Sequence, residues 1–331
     1  ARRVDPAQPP AASAPARRRA PSAAPLRAPP AVVFLDLPEA AGGPRVAAFA
    51  EPWPGPLAIW RSSEGDGWSE VGAIDRPAVL GELLAPPPAA APHRWANGPG
   101  LEVRLWGGGL GGEARRRVLD GANLAALETA DGRWELLQFA GAEMTGPETW
   151  RLTGLLRGQA GTEFLIDAPR ATGARFALLD GAPAALPISA AEIGLERRWR
   201  IGPARFGFAD PACVETDFAS AGAAWRPFAP ARLTAVWDHG DACLSWAPRA
   251  PDDADGWGAA GSPAPPVGAA WRVTILKDGA TRRMIDVLEP CWRYDAAAQA
   301  ADGLTPPFVV AVAESRPLFG PGPETRIEID G

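Results

Sequence analysis

Few residues in this chain are equipped for chemistry. There are two histidines, His93 and His239, and three cysteines, Cys213, Cys243 and Cys291. A nucleophilic triad needs a base beside a Ser or Cys on a sharp turn, and no G-x-S-x-G segment occurs. His239 falls in an inter-strand turn between Asp238 and Gly240, and His93 in a Pro-rich loop. Glu135, Glu143 and Glu163 are the carboxylates that would form a glycosidase-like pair, although nothing in their spacing requires it. Gly107, Gly109 and Gly112 of GGGLGG match G-x-G-x-x-G, with Asp131 about 20 residues on. A dinucleotide site would need a preceding strand buried on both faces, and LEVRLW carries Glu102 and Arg104. The run therefore reads as a flexible turn. No Gly-Lys-Ser/Thr is present, which excludes a P-loop.

Asp252, Asp253 and Asp255 before Gly256 would supply calcium oxygens, but the D-x-D-x-D-G spacing and the distal Glu are missing. The cysteines lack metal-ligand spacing and are odd in number, so they form no disulfide framework. Cys243 and Cys291 are the one pair that would bridge, and small half-buried thiols are the expectation. No catalytic, cofactor-binding or metal site is expected, and the chain reads as a non-enzyme.

The elements that carry these residues are mostly strands. Glycine (37) and proline (38) are about twice as common as usual among the 331 residues. Of 33 basic residues, 32 are Arg, the lone Lys being Lys277. Residues 1–30 are Ala, Pro and Arg, with Arg2, Arg3, Arg17, Arg18, Arg19 and Arg27 against Asp5. That is +5, which leaves −11 on the rest of a chain whose net charge is −6. Such a composition makes a polyproline-like linker arm. The acidic body disfavours phosphate-backbone binding, and no stable nucleic-acid site is expected. No apolar run reaches the ~20 residues of a membrane span.

From Ala31 strands take over: 31–38, two strands around Glu51-Pro52-Trp53-Pro54-Gly55, then 101–106, 133–144, 149–156 and 174–180. In 101–106, Leu101, Val103 and Leu105 share one face. The helix within 112–123 is short and is stopped by Gly121. After Pro227 and Pro230 the pattern resets. About seven strands follow, with hairpins at His239-Gly240-Asp241 and Lys277-Asp278-Gly279-Ala280. That count, and the Trp on the second strand, predict a fibronectin type III-like sandwich. Trp246 is its expected core Trp, opposite Phe308, Val310 and Val312. The predicted organisation is a linker arm at 1–30, one or two hub-like antiparallel β domains at 31–228, and the sandwich at 229–331.

The segment Thr149–Glu163, TWRLTGLLRGQAGTE, resembles a Y-x-L-[ST]-G-L-L-R-G-x-x-G-T-E stretch. That stretch belongs to the large tail-tip (megatron-type baseplate hub) proteins of gene transfer agents and related alphaproteobacterial siphophages. Asp36-Leu37-Pro38, Glu51–Gly55, Leu101–Leu105, Asp120–Asn123 and Glu135–Phe139 resemble further family motifs in matching order. Trp150 stands where the family has Tyr, and the glycine run is expanded. The family's TIM-barrel-like part is not in this chain, so any glycan-degrading role of that part is not carried over.

The resemblance implies the C-terminal portion of a longer chain, consistent with a start at Ala1. It implies a virion component at the distal tail end, assembled in the bacterial cytoplasm. It further implies a homotrimer beside other baseplate, hub and distal tail proteins, closing the tube and assisting DNA delivery or contact with host-envelope glycan. Within the motif, Arg157 and Glu163 are expected to pair across an exposed loop, worth under about 1 kcal/mol. Arg17, Arg18 and Arg19 are expected to dock on an acidic neighbour. The alternative is a non-catalytic carbohydrate-binding surface module, suggested by Trp53, Trp68 and Trp257 in turns.

Overall fold

The structure is a computed structural model that describes residues 28–62, 67–249, 268–317 and 319–330. The basic arm, the Asp252–Asp255 loop and Trp257 lie outside the described residues. The described residues are mainly β, about half strand with two short α-helices, and their sheets are antiparallel.

Four strands open the body: β1 (Ala31–Leu35), β2 (Arg45–Phe49), β3 (Leu57–Ser62) and β4 (Trp68–Ile74). Then come β5 (Leu80–Leu83), β6 (Trp95–Ala96), β7 (Leu101–Leu105), helix α1 (Arg115–Leu119) and β8 (Leu124–Glu128). The long hairpin β9 (Trp134–Gly146) and β10 (Thr149–Gln159) follows, then β11 (Arg175–Leu178), β12 (Ala184–Ala185), β13 (Arg197–Pro203) and β14 (Val214–Phe218).

Strands β10-β7-β5-β11-β8-β9 form a sheet that closes on itself because β10 pairs with both β7 and β9. The short β6 adds to β10. This closed barrel is a feature that the strand pattern did not predict. Alternation explains its filling. Leu101, Val103 and Leu105 of β7 join Leu127, Leu137, Phe139, Leu152, Leu155 and Phe176 in one buried cluster, drawn from every closing strand. Outward on β7, Glu102 accepts from Arg151 at 2.9 Å and Arg104 pairs with Glu82.

The outer side of β8, β9 and β11 is also dry. Ala126, Leu136 and Ala177 pack against Val33, Leu35 and Ala47 of the sheet β1-β2-β12. The opposite face of that sheet, Val32, Phe34, Val46 and Ala48, packs on Leu57, Ile59, Trp199 and Ile201 of the sheet β14-β13-β3-β4. Strand β1 is thus covered on both sides, which is why AVVFL is apolar without alternation. The segment 46–62 does supply two strands, but they do not pair with each other. Pro52, Pro54 and Pro56 withhold ladder donors between them, and the strands diverge into separate layers.

The C-terminal strands are β15 (Ala231–Asp238), β16 (Asp241–Ala247), β17 (Ala270–Lys277), β18 (Ala280–Val287), β19 (Cys291–Tyr294), β20 (Phe308–Arg316) and β21 (Gly320–Ile329). Helix α2 (Ala296–Ala301) starts at Asp295, whose side chain accepts the Ala298 N–H. The strands make a three-stranded sheet, β15-β16-β19, and a four-stranded sheet, β18-β17-β20-β21. Both predicted hairpin turns have two central residues at positive φ, His239-Gly240 and Asp278-Gly279. Between the sheets lie Trp246, Trp271, Val273, Ile275, Tyr294, Phe308, Val310 and Val312. Trp246 is in the core as expected and shares it with Trp271, the ring centroids 6.2 Å apart.

The body and these strands touch closely at the connection. Phe319 lies against Gly222, Gly322 against Pro227, and the Thr325 hydroxyl donates to the Pro230 carbonyl.

Candidate functional site

The motif that carries the family resemblance is built into the barrel. Glu135, from the start of β9, is fully buried. Its Oε1 accepts from Arg157 Nε at 2.5 Å and from the Gly158 N–H at 3.2 Å. Its Oε2 accepts from Arg157 Nη2 at 2.7 Å and from Arg170 Nη2. Arg157 also donates to the carbonyls of Pro88 and Ile166, each at 2.8 Å. Arg170 donates to the carbonyls of Leu165, Ile166 and Ala168. Both guanidinium groups are almost wholly sequestered, with side chains 1% and 2% exposed.

One carboxylate therefore holds two arginines, and the cluster keeps a net positive charge. Burial holds the Arg170 guanidinium below its usual pKa, opposed by Glu135 and reinforced by Arg157 beside it. Chemically this is a clasp. The three charges are held by one another and by backbone carbonyls, with only Arg170 Nε of the two guanidinium groups buried without a partner, and they tie the loop after β10 to the barrel wall.

The expected Arg157–Glu163 pair is not formed, and neither partner is where the loop reading put it. Arg157 points into the barrel wall because a bidentate carboxylate is there. Glu163 instead pairs with Arg249, just beyond β16, with both side chains largely buried. Arg170 and Arg249 went unnoticed in the sequence, since each sits in a loop and gains its partner only through the fold.

Other motif positions are interior hydrogen-bonding groups. Gln138 Nε2 donates to the carbonyls of Val118 and Ala122, finishing helix α1. Asn123, at φ 54°, donates from Nδ2 to Gly111 and Phe139. The Thr162 hydroxyl accepts the Leu136 N–H and donates to the Gln159 carbonyl. Gly158 has φ +66°, and a Cβ there would fall 2.6 Å from Glu163 Cα.

The remaining sequence candidates do not converge. Glu143 is exposed on β9, apart from Glu135 inside the clasp. The strand before GGGLGG is an antiparallel barrel member and the helix after it has five residues. Gly107 lies against the Phe49 ring, where a Cβ would sit 2.3 Å from Cζ. His93 is exposed at φ 56°, and His239, with its side chain 94% exposed, contacts Asp238 at 2.6 Å. Burial pushes the Cys213 thiol up, away from the reactive thiolate. Cys243 and Cys291 lie on neighbouring strands, Cys291 facing Ser245 two residues along from Cys243, and both are free thiols.

A cleft of about 460 Å³ lies between the Asp131–Trp134 turn, strand β14 and the Gly161–Leu165 loop. Phe34, Phe164, Phe218 and Phe228 supply its apolar walls. Asp36 lines it too, accepting from Ser220 Oγ and the Ala221 N–H, each at 2.7 Å. Burial raises the Asp36 pKa against those hydrogen bonds. Asp131 is held by the Thr129 hydroxyl at 2.5 Å and Arg133 Nε at 2.7 Å, and its pKa is lowered chiefly by the hydroxyl.

Residues 78–177 match the family model described as Rcc01698-like, C-terminal, a family associated with a gene transfer agent. The match is just under a third of the chain, and it coincides with the barrel from β5 to β11. It takes in Leu101–Leu105, Asp120–Asn123, Glu135–Phe139 and Thr149–Glu163, and all three members of the clasp. Asp36-Leu37-Pro38 and Glu51–Gly55 fall outside it. No curated protein matches the chain.

Proposed function

We propose that this chain is a structural component of a gene-transfer-agent tail tip, built to close the tail end and assist host attachment and DNA delivery. One observation carries the reading. The family match covers the closed barrel, and Glu135 and Arg157 of the shared motifs are held inside it with Arg170 in the clasp. A segment that buries a carboxylate and two arginines against one another is a shaped, rigid body, suited to assembly rather than turnover. On this reading the chain is not an enzyme. It works as one of three copies around the tail axis, beside other baseplate, hub and distal tail proteins, in the particle rather than in the host membrane. The basic arm would dock on an acidic neighbour.

The glycan-binding alternative loses support at two of its three tryptophans. Trp53 packs against the core beneath β3, and Trp68 has Arg198 and Phe208 against its ring. The test is co-sedimentation of the epitope-tagged chain with purified particles, followed by reconstruction of the tip. Three-fold density that accommodates the barrel is the expected result. Absence from particles, or a different copy number, overturns the reading or its symmetry respectively.

A further inference from the structure

The cleft holds one cation that the fold leaves uncompensated. Arg226 lines it, partly withdrawn from water, and its guanidinium lies 5.7 Å from the Phe164 ring centroid and 5.5 Å from that of Phe319. Among the described residues its side chain makes no hydrogen bond and no ion pair. Asp36 and Asp131 attract it only from beyond ion-pair range, while burial and the neighbouring Arg133 both disfavour its charge. Of the other charged groups that line the cleft, Asp217 is exposed on β14 and the rest already have partners. Asp36 is held by Ser220 and backbone amides, Asp131 and Arg133 hold each other, and Arg175 forks onto Glu128.

A guanidinium offers five donors in a planar fork that fits a carboxylate bidentately. Around it the apolar walls are phenyl rings and Val32. A pocket of this size that sets an unpaired cation against apolar walls has the usual form of a small-ligand site. We infer that the cleft binds a small monocarboxylate carried on a compact apolar body, the carboxylate on Arg226 and the body against Phe34, Phe164 and Phe218. A phosphate or a polyanion fits less well, since Asp36, Asp131 and Asp217 line the same cleft. The proposal is independent of the assembly role, so failure of one leaves the other standing.

Titration calorimetry on the full chain tests it, with phenylacetate as the probe, phenylacetamide as its neutral counterpart and glucuronate as its polar one. Phenylacetate should saturate at one site per chain and bind at least tenfold more tightly than either comparator. Arg226→Gln should weaken it at least tenfold. Thr216→Trp, which fills the cleft from β14 and leaves Arg226 in place, should abolish it. Near-UV circular dichroism checks that each variant keeps its packing. No saturable binding, equal binding of phenylacetamide, preference for glucuronate, or unchanged affinity in both well-folded variants would each overturn the inference.

Discussion

The charge cluster at Glu135 behaves differently from the surface pairs around it. Arg326 with Glu324, or Arg272 with Asp286, can lose a partner to water at little cost. Glu135 cannot, because its neighbours are two sequestered guanidinium groups. Glu135→Gln should therefore destabilise the chain by about 3–5 kcal/mol, the usual penalty for leaving a buried charge unpaired. Urea unfolding followed by tryptophan fluorescence reads this directly, with Glu163→Gln as a milder comparison.

Tyr294 is a second buried polar point. Its hydroxyl donates to Asp302 at 2.6 Å while Arg283 Nε reaches the same carboxylate oxygen, also at 2.6 Å. Arg283, and then Tyr294, hold the Asp302 pKa below its ordinary value. A depressed carboxylate contributes stability above its unfolded pKa and loses it as pH falls through the folded value. Asp302→Asn should flatten the loss of stability below about pH 4, measured as melting temperature against pH. Tyr294→Phe should cost about 2 kcal/mol at neutral pH, the scale of a hydrogen bond to a charged group.

At the level of elements, the loop from Gly158 to Ile166 is constrained by backbone as much as by charge. Gly158→Ala forces a Cβ onto Glu163 at a positive φ and should lower the melting temperature by several degrees. In the sandwich, Trp246→Ala should cost about 3–5 kcal/mol, since the ring is 5% exposed against Trp271. Strands, hairpin turns and the sandwich core were legible because each is written in local signals: alternation in LEVRL, His-Gly and Asp-Gly at the tips, tryptophan on β16. Barrel closure was not, because it depends on β10 serving two neighbours at once, and no local pattern encodes which strand comes back. The clasp was half legible. Arg157 stood out between two glycines, but Glu135 lies 22 residues earlier and Arg170 in an unremarkable loop, so the pairing exists only after the barrel closes. The cleft was invisible for the same reason: its walls come from β1, β14 and the loops after β8 and β10.

For the whole molecule, three packed layers and a two-sheet sandwich each possess their own apolar cluster. Residues 229–331 should accordingly fold alone, shown by a cooperative thermal transition and a near-UV dichroism spectrum. An excised fragment without fixed aromatic signals would count against it. The joint between the two parts has a consequence of its own. The chain crosses once, through Pro227 to Pro230, yet that crossing is flanked by Arg249 on Glu163, Phe319 on Gly222 and Gly322 on Pro227. A hinge with one strand through it would swing. Here any swing must shear an ion pair and two packed contacts together. Pulled along its length, the protein should thus transmit force from barrel to sandwich like a stiff rod, yielding at that joint in a single step rather than bending gradually.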